Sequence, residues 1–97
     1  MKDNNEIREW LEENNYENIT LFENYDYATA FVGVSIDERA IYDYEKMIKF
    51  LVETEGMTEL DAIEWIDYNT IRAMSYFENA PIIIERRANE RENWHLC

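Results

Sequence analysis

The sequence predicts one small α+β domain: an antiparallel sheet of three to four strands with about three helices packed on one face. Three observations predict it. Short runs rich in β-branched and aromatic residues alternate with stretches of helical periodicity. Residues suited to capping bracket the helical stretches. Two Gly and one Pro in 97 residues leave little chain for flexible linkers, while 46% hydrophobic and 14% aromatic residues supply material for a core.

The first helix opens at Asp3, with Glu6 three residues on in the arrangement of a capping box. Ile7, Trp10 and Leu11 fall at i, i+3 and i+4 and form a narrow apolar stripe, flanked by Glu6, Arg8, Glu9, Glu12 and Glu13. Asn14 and Asn15 are the expected stop. Residues 19–23 and 28–35 read as strands joined by a turn at Asn24-Tyr25-Asp26, and a second turn at 36–39 leads into a third strand at Ala40-Ile41-Tyr42.

Asp43 is placed to cap a helix over 44–55, with Tyr42 and Met47 at the positions of a hydrophobic staple. Met47, Ile48, Leu51 and Val52 form its inward stripe, and Glu45–Lys49 is an i,i+4 pair on the wet side. Gly56 stands where a left-handed C-cap belongs, and Thr58 caps a third helix with Asp61 at its third position. Leu60, Ile63, Ile66, Thr70, Ile71 and Met74 trace its inward face to about Tyr76, antiparallel to the preceding helix. Pro81 starts a last strand, Ile82-Ile83-Ile84. The domain is expected to span 1–86, with 87–97 a polar and flexible tail.

Charge is the extreme property: nine Lys and Arg against 22 Asp and Glu give a formal net charge of −13. Residues 1–85 hold six basic and 20 acidic groups, so the acid belongs to the body of the domain. Direct nucleic-acid binding is disfavoured, since phosphate neutralisation by Lys and Arg supplies most of that affinity. The absence of any apolar run long enough to cross a bilayer points away from a membrane partner. No apolar signal core follows Met1, and Cys97 is the single cysteine. Both predict a reducing, cytoplasmic setting.

Catalytic arrangements are poor. His95 and Cys97, the one His and the one Cys, lie in the tail, which does not set a thiol pKa and provides two of the four ligands of a structural zinc site. Ser35 and Ser75 lack a partner His, and Gly33 and Gly56 make no phosphate cradle. The expectation is a binding protein, not an enzyme, without metal or cofactor.

The candidate partner surface has two parts. Glu6, Glu9 and Glu13 on the first helix, and Asp61, Glu64 and Asp67 on the third, are rows of carboxylates spaced ~5–6 Å apart. Such rows imitate a phosphate track, or they are simply solvated faces. On the third helix Trp65 and Tyr68 share the acidic face with Arg72, opposite the core stripe. They read either as aromatic anchors for a partner or as rings packed under the first helix or the sheet edge. Tyr25, Tyr27, Tyr42, Tyr44, Tyr68 and Tyr76 are expected at the core boundary, ring in and hydroxyl out. Asn69 and Arg72 are expected to hydrogen-bond neighbouring loops or strand ends, fixing the helix on the sheet.

The runs Tyr42-Asp43-Tyr44-Glu45-Lys46-Met47, Glu55-Gly56-Met57-Thr58 and Ala62-Ile63-Glu64-Trp65-Ile66-Asp67-Tyr68-Asn69-Thr70-Ile71-Arg72-Ala73 carry a resemblance over roughly residues 28–84. With them the chain resembles a family of short acidic proteins of Firmicutes and of their phages and integrated elements. The resemblance implies a context rather than a chemistry: inhibitors of host defence, anti-CRISPR proteins and other DNA mimics among them. The resulting expectation is an inhibitor whose acidic surface occupies the basic groove of a host nucleic-acid complex. The alternatives are a phage or plasmid accessory protein with a protein partner, and a homo-oligomeric interaction module such as a homodimer.

Overall fold

The computed structural model describes residues 3–23 and 27–85 of the chain. The expected turn at 24–26 and the tail with Trp94, His95 and Cys97 lie outside the described residues. The architecture is α+β: α1 (Asn4–Glu13), β1 (Phe31–Val34), β2 (Ala40–Asp43), α2 (Tyr44–Glu55), α3 (Glu59–Trp65) and β3 (Ile82–Ile84). Beyond α3 the chain continues without a break as a π-helical segment, Ile66–Ile71, and a 3-10 segment, Arg72–Tyr76.

Local chemistry sets the helix ends. The carboxylate of Asp3 accepts from Glu6 N at 2.9 Å, that of Asp43 from Lys46 N at 3.1 Å, and the Thr58 hydroxyl from Asp61 N at 3.1 Å. Each satisfies an N–H that the first helical turn leaves without an intrahelical acceptor. Gly56 ends α2 at φ +68°, a conformation that costs other residues a Cβ clash. On the wet side of α2 the ion pair is Lys49–Glu53 at 3.8 Å, not Glu45–Lys49. Lys49 has an acid one turn away in either direction, and its ammonium lies toward the later one.

The sheet has the order β1-β2-β3 and is mixed, where an all-antiparallel sheet was expected. β1 and β2 are an antiparallel hairpin with Phe31 opposite Tyr42 and a bulge at Val32. Its turn closes through Ser35 N to Arg39 O (2.8 Å), with Glu38 at φ +61°. β3 runs parallel to β2, with Ile41, Tyr42 and Asp43 against Ile82, Ile83 and Ile84. The helical stretch between them carries the chain back to the start of β2, and a crossover through helices is how neighbouring parallel strands are joined. Arg39 Nε donates to Ala80 O at 2.7 Å, tying the hairpin to the entry of β3.

Residues 19–23 do not form a strand. Ile19, Leu21 and Phe22 are buried, and side chains, not a neighbouring strand, serve the backbone of Phe22. Asn4 Nδ2 donates to Phe22 O (3.1 Å), and Phe22 N donates to the Tyr42 hydroxyl (3.4 Å). The Thr20 hydroxyl donates to Glu78 O (3.3 Å) across the domain. The strand expected from residue 28 begins at Phe31, because Ala28–Ala30 is a 3-10 turn.

One core joins α1, the 19–22 segment, β2, α2, α3 and the π segment through Ile7, Leu11, Leu21, Tyr42, Met47, Leu51, Ala62 and Ile66, among others. Tyr27 and Tyr42 are 1% and 0% exposed, so these two belong to the core and not to its boundary. The Tyr42 ring lies 4.8 Å from Phe22 and 5.8 Å from Phe31, and Tyr27 meets Phe50 edge-on at 5.5 Å. The inward line of the third helix is Ala62, Ile66 and Thr70, at i, i+4 and i+8. Leu60 and Ile71, expected inside, are 65% and 42% exposed. A small residue at 62 lets α3 come close to α2, and that approach decides which face turns in.

Candidate partner-binding surfaces

Among the described residues every Asp and Glu is exposed except Asp43, whose carboxylate is spent on the α2 cap. The ion pairs among the described residues are Arg8–Glu23, Arg39–Asp37 and Lys49–Glu53. Pairs this exposed contribute little to stability. Six basic groups cannot offset 20 acidic ones over residues 1–85, so the surface field is negative.

The expected acidic rows are on the outside. Glu6, Glu9 and Glu13 are exposed along α1, and Asp61, Glu64 and Asp67 along α3 and its π continuation. They belong to separate helices. Tyr68 is 65% exposed, and the Arg72 guanidinium carbon sits 5.4 Å from the centre of its ring, a cation–π pair on the surface. Trp65 does not join them. It is half-buried and packs against the core, because it lies one turn from Ala62 on the inward flank and its large indole reaches round onto the apolar cluster.

Asn69 and Arg72 do not reach loops or strand ends in the interactions described. Asn69 Nδ2 donates to the Trp65 carbonyl at 3.2 Å, within its own helix, and Arg72 covers Tyr68. The Asn69 bond has a local consequence. In an unbroken α-helix the Trp65 carbonyl accepts from Asn69's own N–H. Here the side chain supplies a donor at the point where the ladder widens to its π form, the competition expected of Asn in mid-helix. Gly56 and Thr58 hold the connection between α2 and α3 as expected.

Two adjoining depressions, of about 640 and 550 Å³, were not legible in the sequence. They share Tyr44 and Glu85. Tyr44, Ile48 and Val52 sit at i, i+4 and i+8 on α2, to one side of the fully buried Met47 and Leu51. The available signal was the width of the apolar face of α2, more than one packed helix covers. Burial pushes the Tyr44 phenol above the usual tyrosine range, and the charges of Asp67 and Glu85 push it further the same way. The Tyr44 hydroxyl lies 3.5 Å from Asp67 Oδ1.

Among the described residues no three His, Cys, Asp or Glu side chains group closely enough to hold a metal ion, and no helix is long and apolar enough to cross a membrane. Comparison with protein-family models, curated proteins and solved structures returns no match.

Proposed function

We propose that this chain is a non-enzymatic inhibitor that binds the basic nucleic-acid groove of a host defence complex through its acidic surface. The observation that carries the reading is the two carboxylate rows, Glu6/Glu9/Glu13 on α1 and Asp61/Glu64/Asp67 on α3 and its π continuation, all exposed on helices whose N-termini are capped. Capping fixes the start of each helix, and α-helical geometry sets the spacing of Glu6, Glu9 and Glu13 and of Asp61 and Glu64 at ~5–6 Å, so the pattern is rigid enough for a partner to read. Opposed potentials also speed encounter, which suits a molecule that must reach its target before nucleic acid does. Trp65 takes no part in this surface; Tyr68, beside the second row, is its aromatic contact.

The test is affinity capture from bacterial host lysate with mass spectrometry, repeated at high salt. Recovery of a nucleic-acid-handling defence complex at low salt, lost near 1 M where the Debye length falls to about 3 Å, is the expected outcome. Capture of phage structural proteins alone, or of nothing, defeats the reading. A second reading, an accessory module with an apolar protein interface, is favoured by Leu60, Tyr68 and Tyr76, exposed at 65%, 65% and 87%. Binding that persists at high salt selects it.

A further inference from the structure

The two depressions beside α2 form one groove with a consistent chemistry. Its floor is apolar: Tyr44, Ile48 and Val52 from α2, Ile71 and Met74 from the π and 3-10 segments, and Ile83 from β3. All of these but Ile71 also pack against the core, so the floor is anchored, while Ile71 is 42% exposed. The rim is acidic, with Glu45, Glu53 and Glu59 along one half and Asp67 and Glu85 along the other. Lys49 is the one basic residue among the described lining residues, and it pairs with Glu53. The i, i+4, i+8 stripe on α2 runs about 12 Å at 1.5 Å per residue, just over two helical turns.

We propose that this groove docks a basic amphipathic helix of a partner protein, whose apolar stripe lies on the floor and whose Lys or Arg side chains meet the rim carboxylates. An apolar floor between helices with anchors at i, i+3/i+4 and i+7 spacing is how amphipathic helices are bound. The charge complementarity selects the occupant. An acidic or neutral helix leaves the rim repelled or unpaired, whereas a cationic one gains from both floor and rim. The raised Tyr44 phenol reports the same environment, partly dehydrated and negative. Apart from Asp67 this surface is distinct from the two carboxylate rows, and it does not depend on phosphate mimicry.

The test uses the full chain and a fluorescently labelled peptide of roughly 14 residues, four helical turns. The peptide carries Leu at i, i+4 and i+7 with Lys on its other faces, and binding is read by anisotropy. Two control peptides replace Leu by Ser with charge kept, or Lys by Glu with the apolar stripe kept. Both controls are expected to bind about tenfold more weakly or worse, the scale of losing a hot-spot anchor. In the protein, Ile71→Ser and Glu85→Gln are each expected to weaken the parent peptide several-fold, and together about tenfold. Glu17→Gln, exposed, outside both the groove and the carboxylate rows, and equal in charge change to Glu85→Gln, is expected to leave affinity within about twofold. Ile71 is exposed enough for its substitution to leave the fold intact, which far-UV circular dichroism verifies.

Equal binding of the Ser peptide overturns the proposal, because charge alone then explains the affinity. So does wild-type affinity in the Ile71→Ser/Glu85→Gln double variant. A chain that ignores every peptide but sediments as a dimer, which Ile71→Ser dissociates, overturns it in favour of a second copy as occupant. Failure here leaves the lysate-capture result untouched, and the reverse also holds.

Discussion

Removing the hydroxyl of Tyr42 tests the account of the core at its centre. This side chain is 0% exposed, its ring meets Phe22 at a tilt and Phe31 edge-on, and its hydroxyl accepts the N–H of Phe22 at 3.4 Å. Tyr42→Phe keeps the ring contacts and leaves that buried N–H without this acceptor, a loss of about 1–3 kcal/mol. The bond is long, which places the expected value near 1 kcal/mol, or a fall in Tm of about 4–8 °C for a domain of this size. Tyr42→Ala removes the ring as well and is expected to cost about 3–5 kcal/mol, enough to threaten folding of a domain with ordinary stability. Urea unfolding followed by far-UV circular dichroism gives both values, provided the m-value is unchanged. A Tyr42→Phe protein as stable as wild type, or more so, refutes the claim that the 19–22 segment is held by this hydroxyl in place of a strand ladder.

Three other outcomes follow from the same geometry. Gly56→Ala meets no atom within 4 Å of the new Cβ, so its cost is backbone strain alone at φ +68°, about 1 kcal/mol by urea unfolding, and no change would contradict the left-handed cap. Asp43→Ala is expected to lose about 0.5–2 kcal/mol while Asp43→Asn keeps most of the cap, since an amide oxygen still accepts from Lys46 N; equal losses would mean that the buried charge matters more than the hydrogen bond. Tyr44 is expected to ionise above the usual tyrosine value in a near-ultraviolet absorbance titration, and Asp67→Asn to lower its pKa. The linked effect on stability has one sign. The folded chain holds the proton longer than the unfolded one, so this contribution is intact below the unfolded tyrosine pKa and declines as pH rises from there through the folded value.

What was legible in the sequence was short-range. Asp3, Asp43, Gly56 and Thr58 act on backbone groups within a few residues of themselves, so their identity and position fix the ends of α1, α2 and α3 without reference to the rest of the chain. The exposure of the α1 and α3 carboxylates was legible for a related reason: so many like charges have nowhere else to go. The aromatic part of the candidate site was not. Trp65 and Tyr68 are three residues apart on the same turn, yet one packs on the core and the other stands in solvent, and local periodicity does not separate them.

The starts of α1, α2 and α3, the end of α2, the β1–β2 hairpin and the sign of the surface could be read from the amino acids alone, whereas the change from α to π and 3-10 geometry after Trp65 could not. The remaining features depend on which long-range partners the chain finds. Ile19–Phe22 has strand composition, but the backbone groups of Phe22 are met by the Tyr42 and Asn4 side chains and not by a neighbouring strand. β3 is a run of isoleucines that suits either direction, and only the return path through the helices makes it parallel to β2. The groove depends on the same long-range choice, because its floor joins residue 44 to residue 83 and exists only once β3 has come back beside β2.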